Sequence, residues 1–389
     1  MTWRAVALIV AGGVLFALAD LTRTGWIQLA DALIWAVVVL SLALPSLSVT
    51  GLQVSYRLTH RSGARPGPVQ GEEAKFVIEL RNPWPWPRFG LVVRGQMLVA
   101  GRPHQDLKIY VPFVAPRGRV IVEAPVALAR RGLHAVPDVS IETNAPFGVF
   151  RRRRRVAHDA ALLVYPAPHE LRPREAQQVT AGPVSRQTPA RWSEEMSGSR
   201  PYVPGDLARD IHWRNFARTG RLMTRSYVTT ASRRPVLTVS AAVDDALVLD
   251  DLMRLAAGAA DRWAQQGDPV MFQDGVQTLE LDRPALMRRL ALASGDTIAP
   301  LAEALNTASP DAAVIVVVWS GDKSGLASLS DAARRFGNLT VLLLEAADAP
   351  TEAADASIAR TGASISRFSH PLPSPRVETR AEERQRAAA

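Results

Sequence analysis

Ala312–Trp319 reads AAVIVVVW, with no charge, hydroxyl or glycine. So short an apolar run, rich in β-branched residues, predicts a strand buried on both faces. The flanking sequence repeats that logic. Upstream, Arg234–Ala242 (RPVLTVSAA) is a second apolar strand, followed by a helix over Ala246–Gln266. Leu247, Leu249, Leu252, Met253, Leu255, Ala256 and Trp263 form the apolar side of that helix. Asp268–Phe272 is a short strand. Pro284–Ala293 and Ala299–Asn306 are helices, the first with proline suited to its opening turn. Downstream come a helix over Ser324–Phe336 and a strand over Leu339–Leu344. Alternation of helices with unbroken apolar strands predicts an open α/β sheet, parallel and covered on both faces. From Pro371 the chain is polar, charged and proline-marked, so 371–389 is expected to be disordered.

The amino-terminal half is written differently. Ala5–Ala19 and Trp26–Leu44 are apolar runs joined by the polar turn Asp20–Gly25, which predicts two transmembrane helices within 1–48. A cleaved signal peptide and a buried soluble hairpin are the competing readings. Arg4 precedes the pair, and Arg57, His60, Arg61 and Arg65 follow it. The positive-inside rule then puts both ends in the cytoplasm. Trp3, Trp26 and Tyr56 are expected at the membrane interfaces, and Asp31 near the outer one. From 50 to 166, short β-rich runs separated by Gly and Pro predict a β-sandwich domain. The loop Asn82–Pro87 (NPWPWP) carries Trp84 and Trp86. It is read as packing back on the sheets, with a partner or membrane-surface contact as the alternative. Arg151–Arg155 is a run of like charge that repels itself unless neutralised. A solvated hairpin tip and contact with anionic lipid, the latter at about 1 kcal/mol per residue, are its two readings. Residues 167–199 are rich in Pro, Gln, Glu, Ser and Thr and read as a linker.

Between linker and sheet lies Arg200–Tyr227, RPYVPGDLARDIHWRNFARTGRLMTRSY, with arginine at 200, 209, 214, 218, 221 and 225. Pro204-Gly205-Asp206 reads as a tight turn, with Asp206 at an N-cap and a helix over Leu207–Ala217. Thr219-Gly220-Arg221 ends it, and Leu222–Val228 is a strand. The segment resembles the signature of the bacterial family called domain of unknown function 58. The matching residues are Arg200, Tyr202, Pro204, Gly205, Asp206, Arg209, Ile211, Trp213, Ala217, Arg218, Thr219, Gly220, Arg225 and Tyr227. Arg131-Gly132 and Pro146-Phe147-Gly148 upstream are also like the family, although Asn144-Ala145 stands where members usually have a single Asp. The resemblance covers about 130 to 240. It implies that the 200–370 domain is like a von Willebrand factor A domain. It also implies a MoxR-type AAA+ ATPase as partner, and sometimes a transglutaminase-like membrane protein.

Composition narrows the chemistry. The chain has 389 residues, a net charge of +9 and no cysteine, which excludes disulfides and thiolate metal sites. No Gly-x-Ser-x-Gly, phosphate-cradling Gly-x-x-x-x-Gly-Lys or His-x-x-x-His stands in it. A metal site of the A-domain type needs Asp-x-Ser-x-Ser after the first strand. Here that strand runs into Ser240-Ala-Ala-Val-Asp244-Asp245 without the serines, so Asp244 and Asp245 are weak metal candidates and no cofactor is expected. The acidic pair better suits the start of the next helix. Nucleic acid is not expected, because the arginine run lacks interleaved aromatics. The reading is therefore a multi-pass inner-membrane protein with both termini cytoplasmic, non-enzymatic, binding a partner through Arg200, Tyr202, Pro204, Gly205, Asp206, Arg209, Trp213, Arg218, Arg225 and Tyr227. The alternatives are a polar network locking the domains together, a hydrolase using Asp206, Arg209 and His212, and a lipid-binding scaffold driven by Arg151–Arg155.

Overall fold

The computed structural model describes residues 3–22, 24–60, 67–180, 196–202, 211–227, 235–240, 242–265, 270–273, 278–295, 297–309, 312–336, 338–346 and 363–374. At 180, 196–200 and 225–227 it describes the backbone alone. The chain forms two compact units, one built on Met1–Ala167 and one on Pro168–Leu286 with Ser294–Pro373.

The first unit opens with two helices, α1 (Trp3–Thr22) and α2 (Gly25–Val49). At 1.5 Å per residue both are long enough to cross a hydrocarbon core. Their contact face is read from spacing. Ala5, Gly12 and Ala19 are buried in α1, and Asp31, Val38 and Pro45 in α2, each set at intervals of seven. Small residues at that interval let two backbones approach along one seam. A Cβ on Gly12 would sit 3.3 Å from Ile34 and 3.4 Å from Trp35. The other faces display Val10, Val14, Phe16, Leu29, Leu33 and Val39 outward. Asp31 is buried on this seam, less than two turns from the start of α2.

Two antiparallel sheets follow. One is β1 (Gln53–Thr59), β2 (Glu73–Arg81) and β5 (Arg119–Ala127), in the order β1-β2-β5. The other is β3 (Arg88–Val99), β4 (Arg102–Val114), β6 (Gly132–Thr143) and β7 (Arg152–Val164), in the order β4-β3-β6-β7. Alternate residues turn inward. Tyr56, Phe76 and Ile78 from the first sheet share one core with Leu91, Val93, Met97 and Ile141 from the second.

Two expectations change in this unit. Tyr56 is no interface aromatic: it is 2% exposed. Its hydroxyl donates to the His158 carbonyl and accepts from the His158 N–H at 3.1 Å. That satisfies the backbone where β7 breaks register against β6, after Val136↔Ala160. The arginine run is also no hairpin tip. Arg152–Arg155 belong to β7 and pair with Thr143–Ser140 of β6, and all four are exposed.

The second unit is a six-stranded sheet in the order β12-β11-β10-β13-β14-β15. The ranges are β10 (Pro235–Val239), β11 (Val270–Gln273), β12 (Thr278–Leu281), β13 (Ala313–Trp319), β14 (Leu339–Ala346) and β15 (Ser364–His370). The sheet is mixed rather than wholly parallel, since β12 returns antiparallel on the edge beside β11. It is covered on both faces. Val314, Val316 and Val318 of β13 pack with α7 (Leu301–Thr307) and α8 (Lys323–Arg335). On the other face α5 (Ala246–Ala264) packs on β10 and β13. The expected linker contributes a helix of its own, α3 (Pro173–Thr180), whose Ala176 and Val179 are buried. Thr340 and Ser366 of the sheet donate to Gln178 in α3, so this stretch is part of the folded unit.

Residues 371–374, expected within the disordered tail, belong to the folded chain. Leu372 is buried, and its N–H donates to Asp251 at 2.8 Å. Asp251 also takes Arg254 at 2.9 Å and faces His370 Nδ1 at 2.9 Å. Arg254 in turn donates to the Pro373 carbonyl at 2.6 Å. This buried knot ties α5 to the end of β15. The rest of the expected tail, 375–389, lies outside the described residues.

Candidate functional site

Arg200–Tyr227 is built on a two-stranded ribbon. β8 (Met196–Pro201) pairs antiparallel with β9 (Met223–Tyr227), Arg200 opposite Thr224 and Ser199 opposite Arg225. Tyr202 N–H donates to the Leu222 carbonyl at 3.1 Å. Ile211 bridges Thr224, so the backbone at 211 is extended. The helix therefore starts later than its expected Leu207. It is α4 (Trp213–Thr219), capped by His212 rather than Asp206. His212 Nδ1 accepts the Asn215 N–H at 3.1 Å, and in that tautomer Nδ1 carries no proton to give. Gly220 closes the helix at φ +66°, a left-handed conformation that glycine adopts without strain. Pro204, Gly205, Asp206 and Arg209 lie outside the described residues, as do the side chains of Arg200, Arg225 and Tyr227.

What α4 presents is a surface. None of its residues is buried. Trp213 is 56% exposed, Phe216 38% and Leu222 41%. The two rings meet edge to face, with centroids 6.3 Å apart. Arg214, Arg218 and Arg221 are exposed around them, and 211–223 contains no Asp or Glu. The acidic members of the expected polar network, Asp206 and Asp210, lie outside the described residues. The face thus combines an exposed aromatic pair with three exposed guanidinium groups.

A second location follows from topology. β11 lies on one side of β10 and β13 on the other, so the direction in which the chain adds strands reverses between the parallel β10 and β13. Open α/β sheets commonly bind ligands beyond the carboxyl ends of strands at such a point. Here Ser240 follows β10 and Asp322 follows β13, and both are buried. Asp322 accepts from Ser240 Oγ, from Ser324 Oγ at 2.7 Å and from the Gly325 N–H at 2.9 Å, capping α8. Both carboxylate oxygens are therefore already engaged by the protein's own donors. Asp244 and Asp245 are exposed nearby in sequence, and Asp245 caps α5 through the Leu247 N–H at 2.8 Å. Among the described residues, no cluster of three or more His, Asp or Glu could hold a metal ion. The sequence reading had missed the Ser240–Asp322 pair. Its signal was the polar turn Ser320–Gly325 directly after the most apolar strand.

No family model matches the chain, and no curated protein matches it. Solved structures give partial likenesses. The C-terminal domain of Wzt matches 29% of this chain and 73% of its own, at 9% identity and TM-score 0.24. A late embryogenesis abundant protein matches 31% of this chain and 82% of its own, at 10% identity and TM-score 0.21. A CARDB domain from Pyrococcus furiosus matches 27% of this chain and 94% of its own, at 8% identity and TM-score 0.17.

Proposed function

We propose that this chain is a membrane-anchored, non-enzymatic adaptor that engages a MoxR-type AAA+ ATPase through the exposed face of α4. The observation that carries this reading is Trp213, Phe216 and Leu222 lying exposed beside the exposed Arg214, Arg218 and Arg221. A lone exposed apolar residue is ordinary, but three on one short, ribbon-supported segment form a patch suited to a partner.

The remaining features fit that role. α1 and α2 anchor the chain in the inner membrane, with both termini on the cytoplasmic side. The two antiparallel sheets with a common core form a β-sandwich. The open sheet with helices on both faces is the von Willebrand factor A-like module that the resemblance to domain of unknown function 58 implies. A transglutaminase-like membrane protein is a further partner that the same resemblance suggests. The role is assembly or maintenance of envelope or secreted components.

Site-specific photo-crosslinking in native membranes tests the assignment. A photoreactive side chain at Phe216 is expected to give an adduct with an AAA+ ATPase, and one at Tyr110 of the first unit is expected to give none. Equal adducts from both positions, or no ATPase adduct from Phe216, overturn the reading.

A further inference from the structure

The first unit has one end with an unusual surface. The end of β2, the starts of β3 and β5, the end of β4, the end of β6 and the start of β7 all lie together, as their registers require. α2 ends there as well. Arg154 donates to the carbonyls of Val49 at 3.4 Å and Leu52 at 2.8 Å, and Arg88 to that of Thr50 at 3.2 Å. Carbonyls at a helix C-terminus carry unsatisfied acceptors and partial negative charge, so guanidinium groups hold them well. The Trp84 indole lies against Gly51, so close that a Cβ there would sit 2.4 Å from its nitrogen. The end of α2 is thus fixed to this edge of the sheets.

The same edge displays aromatics. Trp84 is 46% exposed, Trp86 66%, Phe89 48%, Phe113 46% and Phe147 44%. Phe89 and Phe113 are cross-strand neighbours with centroids 5.4 Å apart. The tryptophan loop is held rigidly by Asn82, which is fully buried. Asn82 Nδ2 donates to the carbonyls of Trp86 at 2.7 Å and Ala115 at 3.1 Å, and its Oδ1 accepts the Trp84 N–H at 3.2 Å. The loop packs on the sandwich through Asn82, with Trp84 against Gly51 and Trp86 66% exposed.

Basic residues dominate this edge, and Glu142, opposite Arg153, is already ion-paired with Arg94. The segments 81–89, 111–119 and 143–157 contain no Asp or Glu. They carry exposed arginines at 81, 117 and 119 and throughout 151–155. Trp and Phe favour the boundary between headgroups and acyl chains, and juxtamembrane arginines favour anionic headgroups. Both preferences meet where an apolar helix long enough to span ends.

We propose that this edge of the first unit is seated in the headgroup layer of the bilayer that holds α1 and α2. The aromatic rings sit at the acyl boundary, and Arg151, Arg152 and Arg153 contact anionic phospholipid. The inference rests on the reading that α1 and α2 span the membrane. It adds that the sheets lie on the bilayer rather than standing off it.

The absence of cysteine makes single labels unambiguous. The full chain is reconstituted into vesicles of phosphatidylcholine with and without phosphatidylglycerol. Nitroxides are placed by Trp86→Cys and Phe147→Cys, by Arg102→Cys at the far end of β3 and β4, and by Val39→Cys in α2. The expected result is several-fold lower collision with a water-soluble nickel chelate at 86 and 147 than at 102, with the difference larger when phosphatidylglycerol is present. Labels at 86 and 147 as accessible as the label at 102, while 39 stays shielded, overturn the inference and leave the spanning reading standing. An accessible label at 39 overturns both. Equal shielding in the two lipids overturns the anionic-phospholipid assignment.

Discussion

Gly258→Ala sets two effects of opposite sign against each other. Gly258 lies within α5, where alanine is favoured by about 1 kcal/mol on helix propensity alone. A Cβ at 258, however, would stand 2.2 Å from the carbonyl oxygen of His169, and 3.2 Å from that residue's carbonyl carbon and nitrogen. The atoms in the way are backbone, so no side-chain rotation relieves the clash. The helix and the strip around His169 must separate by more than an ångström. That separation strains the hydrogen bond from His169 N–H to the Arg254 carbonyl, 3.0 Å in the native fold. Overpacking of a rigid contact costs about 1–3 kcal/mol, and weakening a buried hydrogen bond adds about 1 kcal/mol. The clash wins, and the net loss is about 2 kcal/mol. For a unit of this size that lowers the unfolding midpoint by about 4–8 °C. Thermal unfolding of the detergent-solubilised chain, followed by intrinsic fluorescence, measures it. An unchanged or raised midpoint refutes the packing of α5 against His169.

Other consequences follow from the same contacts. Tyr56→Phe strands the N–H and carbonyl of His158, so the first unit loses about 1–3 kcal/mol, seen as a lower denaturant midpoint at unchanged slope. Asp322→Ala removes the α8 cap and the partner of buried Ser240, costing about 2–4 kcal/mol and raising hydrogen exchange at the start of α8. Burial, and next the charge of Arg254, hold the His169 pKa below its ordinary value. The unfolded chain then binds more protons than the folded one as pH falls below about 6.5, so stability drops there and is complete above it. His169→Gln flattens that part of the pH profile of the unfolding midpoint, while an unaltered profile contradicts the assignment.

Periodicity made the long elements legible. The unbroken apolar run at 312–319 marked a strand buried on both faces, and the apolar stripe of α5 was plain from Leu249, Leu252 and Trp263. Both apolar amino-terminal runs became helices for the same reason. The misses have local causes. β12 (TLEL) is half polar because it is an edge, so it carries no buried-strand signal. α3 (PREAQQVT) buries only one narrow stripe, and its composition resembles that of a linker. Tyr56 was misplaced because a tyrosine near an apolar run looks alike whether its hydroxyl meets water or a backbone bulge. At the candidate site, the turn chemistry of Pro204-Gly205-Asp206 pointed to a cap at 206. The extended backbone at Ile211, set by long-range pairing with Thr224, moved that cap to His212.

The central claim is that the α4 face binds a partner. The direct measurement is affinity purification of the full chain from its native membrane, comparing wild type with a Trp213→Ala, Arg218→Ala double variant. Both positions are exposed, so the variant should unfold at the same temperature as wild type. The account predicts that an AAA+ ATPase co-purifies with wild type and is lost from the folded variant. Equal recovery from both, or no ATPase with either, contradicts it.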